Sequence, residues 1–227
     1  MDMIALVFAD SRFPGGGHVH SGGLEEAAAR RLVSTEDDLP AFLRGRLRTA
    51  GELSAVFAAA AAHGARRGAD ARFWRELDAE LDARTPSGAQ RDASRAQGSG
   101  VRRAMKGAFP TPRVRKAPFI ARPHHAIALG AAVGLAGGLP LDAALAAAYL
   151  SVSGPASAAV RLLGLDPLRV NASVLRLAGE VRAVAERAAA TAAREPAELP
   201  APGAPGLDLL AEAHKRKHAK EVRLFAS

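Results

Sequence analysis

Apolar side chains recur along this chain at steps of three and four, the spacing that gathers them on one side of a helix. Leu39, Leu43, Leu47, Ala50, Ser54 and Phe57 keep that spacing behind the cap-rich stretch Ser34-Thr35-Glu36-Asp37-Asp38, which predicts an amphipathic helix reaching as far as His63. Asp70 to Ala83 repeats the pattern, with Phe73, Leu77 and Leu81 on one face and Trp74 beside them, and Pro86 closes it. Further on, Ala126 to Leu139 is almost purely small and apolar, Pro140 and Asp142 interrupt it, and a second apolar stretch follows. A membrane span needs roughly 20 apolar residues in one run, so this region predicts a buried helix pair. Asp166-Pro167 opens another helix, expected to run through Arg187.

Between these patterns lie segments of different character. Ile4 to Ala9 is a short apolar run leading into the glycine-dense stretch from Gly15 to Gly23, after which Ser21 can cap a helix starting at Gly22 with Glu25 and Glu26 at its positive end. Gly98-Ser99-Gly100 reads as a break in a helical stretch. Residues 102–122 hold seven Lys or Arg and no acid, interleaved with Pro110, Pro112 and Pro118, as in a basic loop. Residues 195–206 carry four prolines and two glycines and read as a linker. The organisation expected is an all-helical core over 1–194, a linker over 195–206 and a docking segment over 207–227.

Composition narrows the fold. Hydrophobic residues make up 48% of the 227, much of it Ala, while aromatics reach 4%, so packing must come from close approach of small-residue faces. Good helix formers abound and typical strand formers are scarce, which predicts an all-α, single-domain bundle. With no cysteine, disulfides, thiolate zinc sites and a thiol nucleophile are excluded, and a reducing compartment fits. Met1 to Phe8 lacks the basic start of a secretory leader, so the location expected is cytoplasmic. The net charge of +8 admits a basic nucleic-acid-binding helical protein as an alternative. Such proteins usually add aromatic stacking platforms, however, and only Phe109 and Phe119 stand in the basic loop, so a protein-docking face is the favoured reading.

Catalytic patterns are missing. Gly17 to Gly22 has the glycine spacing of a phosphate loop, but Gly23 stands where the lysine belongs. No nucleophile elbow or paired-histidine zinc helix is present, and no enzyme is expected. His18 with His20, His124 with His125, and His214 with His218 each offer two metal ligands where a tight site wants three or four. His18, His20 and His125 are therefore weak metal candidates, suited at most to transient contact.

Phe13-Pro14-Gly15-Gly16-Gly17-His18-Val19-His20-Ser21-Gly22-Gly23-Leu24-Glu25 resembles the N-terminal signature of UreF-type urease accessory proteins, F-P-x-G-x-x-x-H-S-x-G-L-E. His125 to Gly130, Gly138 to Leu141, Ser157 to Leu162 and the ending Arg223 to Ser227 are similar to further family elements in the same order. Departures are Gly15 and His18 in the loop and Gly154-Pro155 ahead of the Ser157 element. The resemblance implies an all-helical, non-enzymatic homodimer that assembles with UreD (also called UreH) and the GTPase UreG on apo-urease. It further implies that nickel is the cargo of that complex and that GTP belongs to the partner. The partner-binding residues implied are Phe13, Pro14, Gly16, His20, Ser21, Gly23, Leu24, Glu25, Arg223, Leu224 and Phe225.

Overall fold

The computed structural model describes residues 3–10, 12–14, 20–108, 114 and 120–217. Eleven α-helices are described: α1 (Met3–Ala9), α2 (Leu24–Ala29), α3 (Leu39–Arg46), α4 (Glu52–Arg67), α5 (Ala71–Ala83), α6 (Gly88–Ala108), α7 (His125–Leu135), α8 (Pro140–Leu163), α9 (Pro167–Arg176), α10 (Ala178–Ala190) and α11 (Pro205–Lys217). No strand occurs among the described residues, and the fold is all-α as the sequence pattern predicts.

The bundle is built around α4. Every residue from Ala55 to Ala62 is buried, because α7, α8 and α10 all pack on this one helix. Alanine buries little area by itself, so this core gains from the number of short contacts that small side chains permit. The closest approach is to α7, where a Cβ at Gly130 would overlap the Ala58 carbonyl and one at Gly134 would lie 2.5 Å from that of Ala62. Bulk comes from a few large anchors, chiefly Phe57, Trp74, Leu77 and the ladder Leu39, Leu43, Leu47, each 2% exposed or less. α8 is the described helix long and apolar enough to cross a membrane; it packs instead against α4, α7 and α10.

The long helix predicted from Leu39 is present, with one difference of consequence. Between α3 and α4 the backbone forms a π turn over Leu47–Gly51, which inserts part of a turn without breaking the rod. The inward face then passes from Leu47 to Gly51, which abuts Ser151 of α8, while Ala50 and Ser54 turn toward a cavity. Asp38 stands at the N-cap, but its carboxylate accepts from the Ser34 and Thr35 amides and closes the preceding turn.

Other boundaries shift for local reasons. α2 begins at Leu24 rather than Gly22, because Gly22 and Gly23 are both left-handed, with φ of 63° and 90°. Ser21 Oγ still serves the first turn, accepting the Glu25 amide at 3.3 Å. α6 runs unbroken through Gly98-Ser99-Gly100; the Gly98 backbone lies directly against the Pro123 carbonyl, where a side chain would collide. The helix expected from Asp166 to Arg187 is two helices joined at Leu177, which leaves the helical path to enter the core at 1% exposure. Asp166 caps α9 through the Leu168 amide, and α8 continues straight across Pro155.

Residues 195–206 are laid along the body. Pro196–Glu198 forms a 3₁₀ turn against α5, the Ala197 carbonyl accepts from Arg84 Nη2 at 2.8 Å, and Leu199 is buried. α11 follows and packs on α6 and α2, so the last described helix reaches the beginning of the chain.

Candidate functional site

The residues of the N-terminal signature divide into an inner and an outer set. Ser21 and Leu24 are fully buried, His20 is 8% exposed, and Glu25 is half-buried. Phe13 is half-buried and meets Phe8 of α1 edge to face at 4.8 Å between ring centres, while Pro14 is exposed. Gly23 sits against Leu207 of α11, where a Cβ would be 3.4 Å from Leu207 Cδ2. From the α11 side, buried His214 brings Nε2 to 3.8 Å from Glu25 Oε2. The signature and the C-terminal helix therefore form one corner. Gly16, His18, Arg223, Leu224 and Phe225 lie outside the described residues, as does His218.

Polar contacts fasten α11 to α6. Glu212 accepts from Ser87 Oγ and the Ala89 amide at 2.7 and 2.8 Å, and these bonds draw its carboxyl below the usual range. Asp208 accepts from the Ser87 amide and Gln90, yet burial, aided by nearby Glu212, raises its pKa. Lys215 Nζ reaches Asp92 at 2.7 Å.

Behind this corner lies a cavity of about 140 Å³, walled by α11, the Gly22-Gly23 turn, the π turn, α6 and the start of α7. Arg46 is its most unusual wall. Nη1 donates to the Gly22 carbonyl at 2.8 Å and Nε to that of Ser151 at 3.0 Å. No carboxylate pairs with Arg46 among the described residues, and desolvation lowers its pKa to about 10. Gly22 packs flat on the guanidinium: a Cβ there would sit 2.7 Å from Arg46 Cζ.

The far wall is a hydrogen-bonded seam. His124 is 1% exposed; its Nδ1 contacts Ser94 Oγ and its Nε2 contacts Asp82 Oδ1, both at 3.0 Å. Its backbone N–H donates to Asp78 Oδ1 at 3.2 Å. Arg95 Nη2 donates to Asp78 and Asp82 at 2.9 and 2.7 Å. Burial and then the Arg95 charge push the His124 imidazole toward its neutral form. Burial opposes ionisation of Asp82, but hydrogen bonds from Arg95 and His124 prevail and hold it below its ordinary value. His125 starts α7 with its amide on Ser94 Oγ at 3.1 Å, and burial lowers its imidazole to about 4.

Among the described residues no three His, Cys, Asp or Glu side chains converge as a metal site. His124 is committed to Ser94 and Asp82, which leaves its neighbour His125 at the cavity without a second histidine to ligate alongside it. The cavity residues Arg46 and Ser94 and the seam residues Asp78, Asp82 and Arg95 stand outside every motif in the sequence. For Arg46 one signal exists: it falls three residues after Leu43, on the apolar face, whereas Arg44 and Arg48 point outward and share Glu180.

The UreF family model matches residues 33–178, more than half of the chain. The chain is 45% identical over 223 residues to a urease accessory protein UreF of Mycolicibacterium vanbaalenii, covering 98% of this chain and 97% of that one. It is 43% identical over 223 residues to the protein of the same description from Mycobacterium sp. strain JLS, with the same coverage. The one from Mycobacterium tuberculosis is 40% identical over 214 residues, 94% of each chain. With a family model over most of its length and relatives this similar end to end, the chain belongs to the UreF family, a family of urease accessory proteins and not of enzymes.

Proposed function

We propose that this chain is a scaffold for urease maturation that assembles with UreD/UreH and the GTPase UreG on apo-urease, so that nickel is inserted with GTP hydrolysis. The observation that carries this reading is the corner where the N-terminal signature meets α11, because Gly23 and Glu25 of the signature lie against Leu207 and His214 of the helix that precedes the C-terminal motif in the chain. At the start of the signature, Phe13 is half-buried against Phe8 of α1 and Pro14 is exposed to a partner. Arg223, Leu224 and Phe225 extend the docking surface from the C-terminal side, with Arg223 donating to a partner carboxylate and Phe225 filling an apolar pocket. His20, Ser21, Gly23, Leu24 and Glu25 act beneath, fixing the loop that a partner reads. GTP is bound by the partner, nickel is cargo, and the assembly works in the cytoplasm.

Homodimerisation is part of the same reading. α1 lies on α8 and leaves Met3, Leu6 and Val7 exposed, and α8 adds exposed Leu141 and Tyr149, so two touching elements present apolar side chains that a second copy can cover. Size-exclusion chromatography with light scattering, on this protein alone, with UreD, and with UreD plus UreG, tests the whole proposal. A dimer that forms stoichiometric complexes supports it, and a monomer that ignores both partners overturns it. Arg223→Ala and Phe225→Ala are each expected to weaken capture of UreG; unchanged capture by both removes the C-terminal docking element.

A further inference from the structure

We propose that the cavity behind the α2–α11 corner is a binding site for a small oxyanion of the carboxylate class, held by Arg46. Three independent features converge there. The first is an uncompensated cation: Arg46 spends two donors on backbone carbonyls, has no acidic partner among the described residues, and has lost enough water to lower its pKa to about 10. A guanidinium in such surroundings gains far more from an anion than an exposed one does, because water screens it less.

The second is the chemistry of the remaining wall. Gln97 brings a neutral amide and His125 is neutral at physiological pH, while the Ser54 and Thr85 hydroxyls, which donate to the Ala50 and Leu81 carbonyls, carry no charge. Arg84, the other cation, is already occupied by Glu80 and the Ala197 carbonyl. The acid on the wall, Asp208, accepts from the Ser87 amide and Gln90 and forms no ion pair with Arg46, whose shift arises from burial. The third is the start of α7. Its Ala126 lines the cavity, and the amide of Ala126 has no acceptor among the described residues, while those of His124 and His125 are taken by Asp78 and Ser94. The N-terminus of an eleven-residue helix, with one open donor, thus borders the space that Arg46 lines.

The size agrees. About 140 Å³ accommodates an acetate-sized ion with a few waters, given roughly 30 Å³ per water in the liquid. Gly22 has a corresponding role, since its left-handed backbone, at a φ of 63°, favours glycine and its carbonyl accepts from Arg46 Nη1.

Isothermal titration calorimetry on the full chain, with sodium acetate or phosphate against sodium chloride at matched ionic strength, tests the site without any partner protein. One saturable site for acetate is expected, weakened roughly tenfold or more by Arg46→Gln, and binding of phosphate without acetate overturns the carboxylate assignment. Ala93→Leu, which fills the cavity from α6 and leaves Arg46 and its carbonyl partners in place, is expected to abolish binding while keeping the melting temperature. Heats equal to those of chloride in the unaltered protein overturn the proposal, and so does full-strength binding in Ala93→Leu. Because no complex is formed in this experiment, its failure leaves the scaffold reading standing, and failed assembly leaves the anion site standing.

Discussion

α7 meets the rest of the molecule in two ways. Along its length it lies against α4 with glycine on alanine, no polar side chain between them, and carbonyls so close that a methyl group does not fit. At its first turn it meets α5 and α6 through His124, Asp78, Asp82, Arg95 and Ser94, which are joined by hydrogen bonds and ion pairs. The first interface is specified by shape and admits no substitute at the closest points. The second is specified by direction and charge, and its strength depends on every member being present. The cavity lies on the polar side of this divide, which is where a ligand finds partners.

The comparison breaks most sharply at Gly130. Gly130→Ala should destabilise the protein by about 3 kcal/mol, as an overpacked core with backbone on the far side does; urea denaturation measures it, and a neutral result would mean that α4 and α7 can move apart. Arg95→Met leaves Asp78 and Asp82 without their cation and should be lost next, by about 2 kcal/mol in the same assay, less than a fully buried pair because Asp82 is partly exposed.

Acid sharpens the contrast. His125 titrates at about 4 when folded against 6.5 when unfolded, so as pH falls the unfolded chain takes the proton first. Its contribution is whole above pH 6.5 and drains away toward pH 4, and His124, lowered in the same direction, adds to the trend. Stability should therefore drop by about 1 kcal/mol over the first pH unit below 6.5, with a shallower fall in His125→Gln. At the other extreme, Arg72→Ala removes an exposed pair with Glu76 and should change stability by less than about 0.5 kcal/mol.

The shape-specified half was the more legible one. Leu39, Leu43 and Leu47 announce their face by spacing, Phe73, Leu77 and Leu81 do the same, and the Ala-Gly run of α7 and α8 can hardly be anything but buried helix. The π turn left no mark, since Leu47-Arg48-Thr49-Ala50-Gly51 is ordinary helical sequence and the extra residue is stabilised by α8. Nor did the turn at Leu177, which has neither glycine nor proline and is made by the demand for a buried side chain. Gly98-Ser99-Gly100 misled because glycine weakens a helix and also lets another chain segment approach it, and here the second effect decides. Arg46 was marked only by its place on the apolar face: what sets it apart is having no carboxylate partner among the described residues, and Ser151, which supplies one of its acceptors, lies 105 positions away.

The wall that α11 gives the cavity also sets an order of events during synthesis. Gly22, Arg46, Ser94 and His125 all leave the ribosome before residues 205–217, so the pocket stays open on one side until α11 has emerged. Assembly of the corner thus marks that α11 has been made: a chain stalled or cleaved before Pro205 keeps the helices that bury Phe57 and Trp74, yet lacks the helix behind its signature loop. A partner that reads the corner, rather than the bundle, distinguishes chains that carry α11 from those interrupted before it.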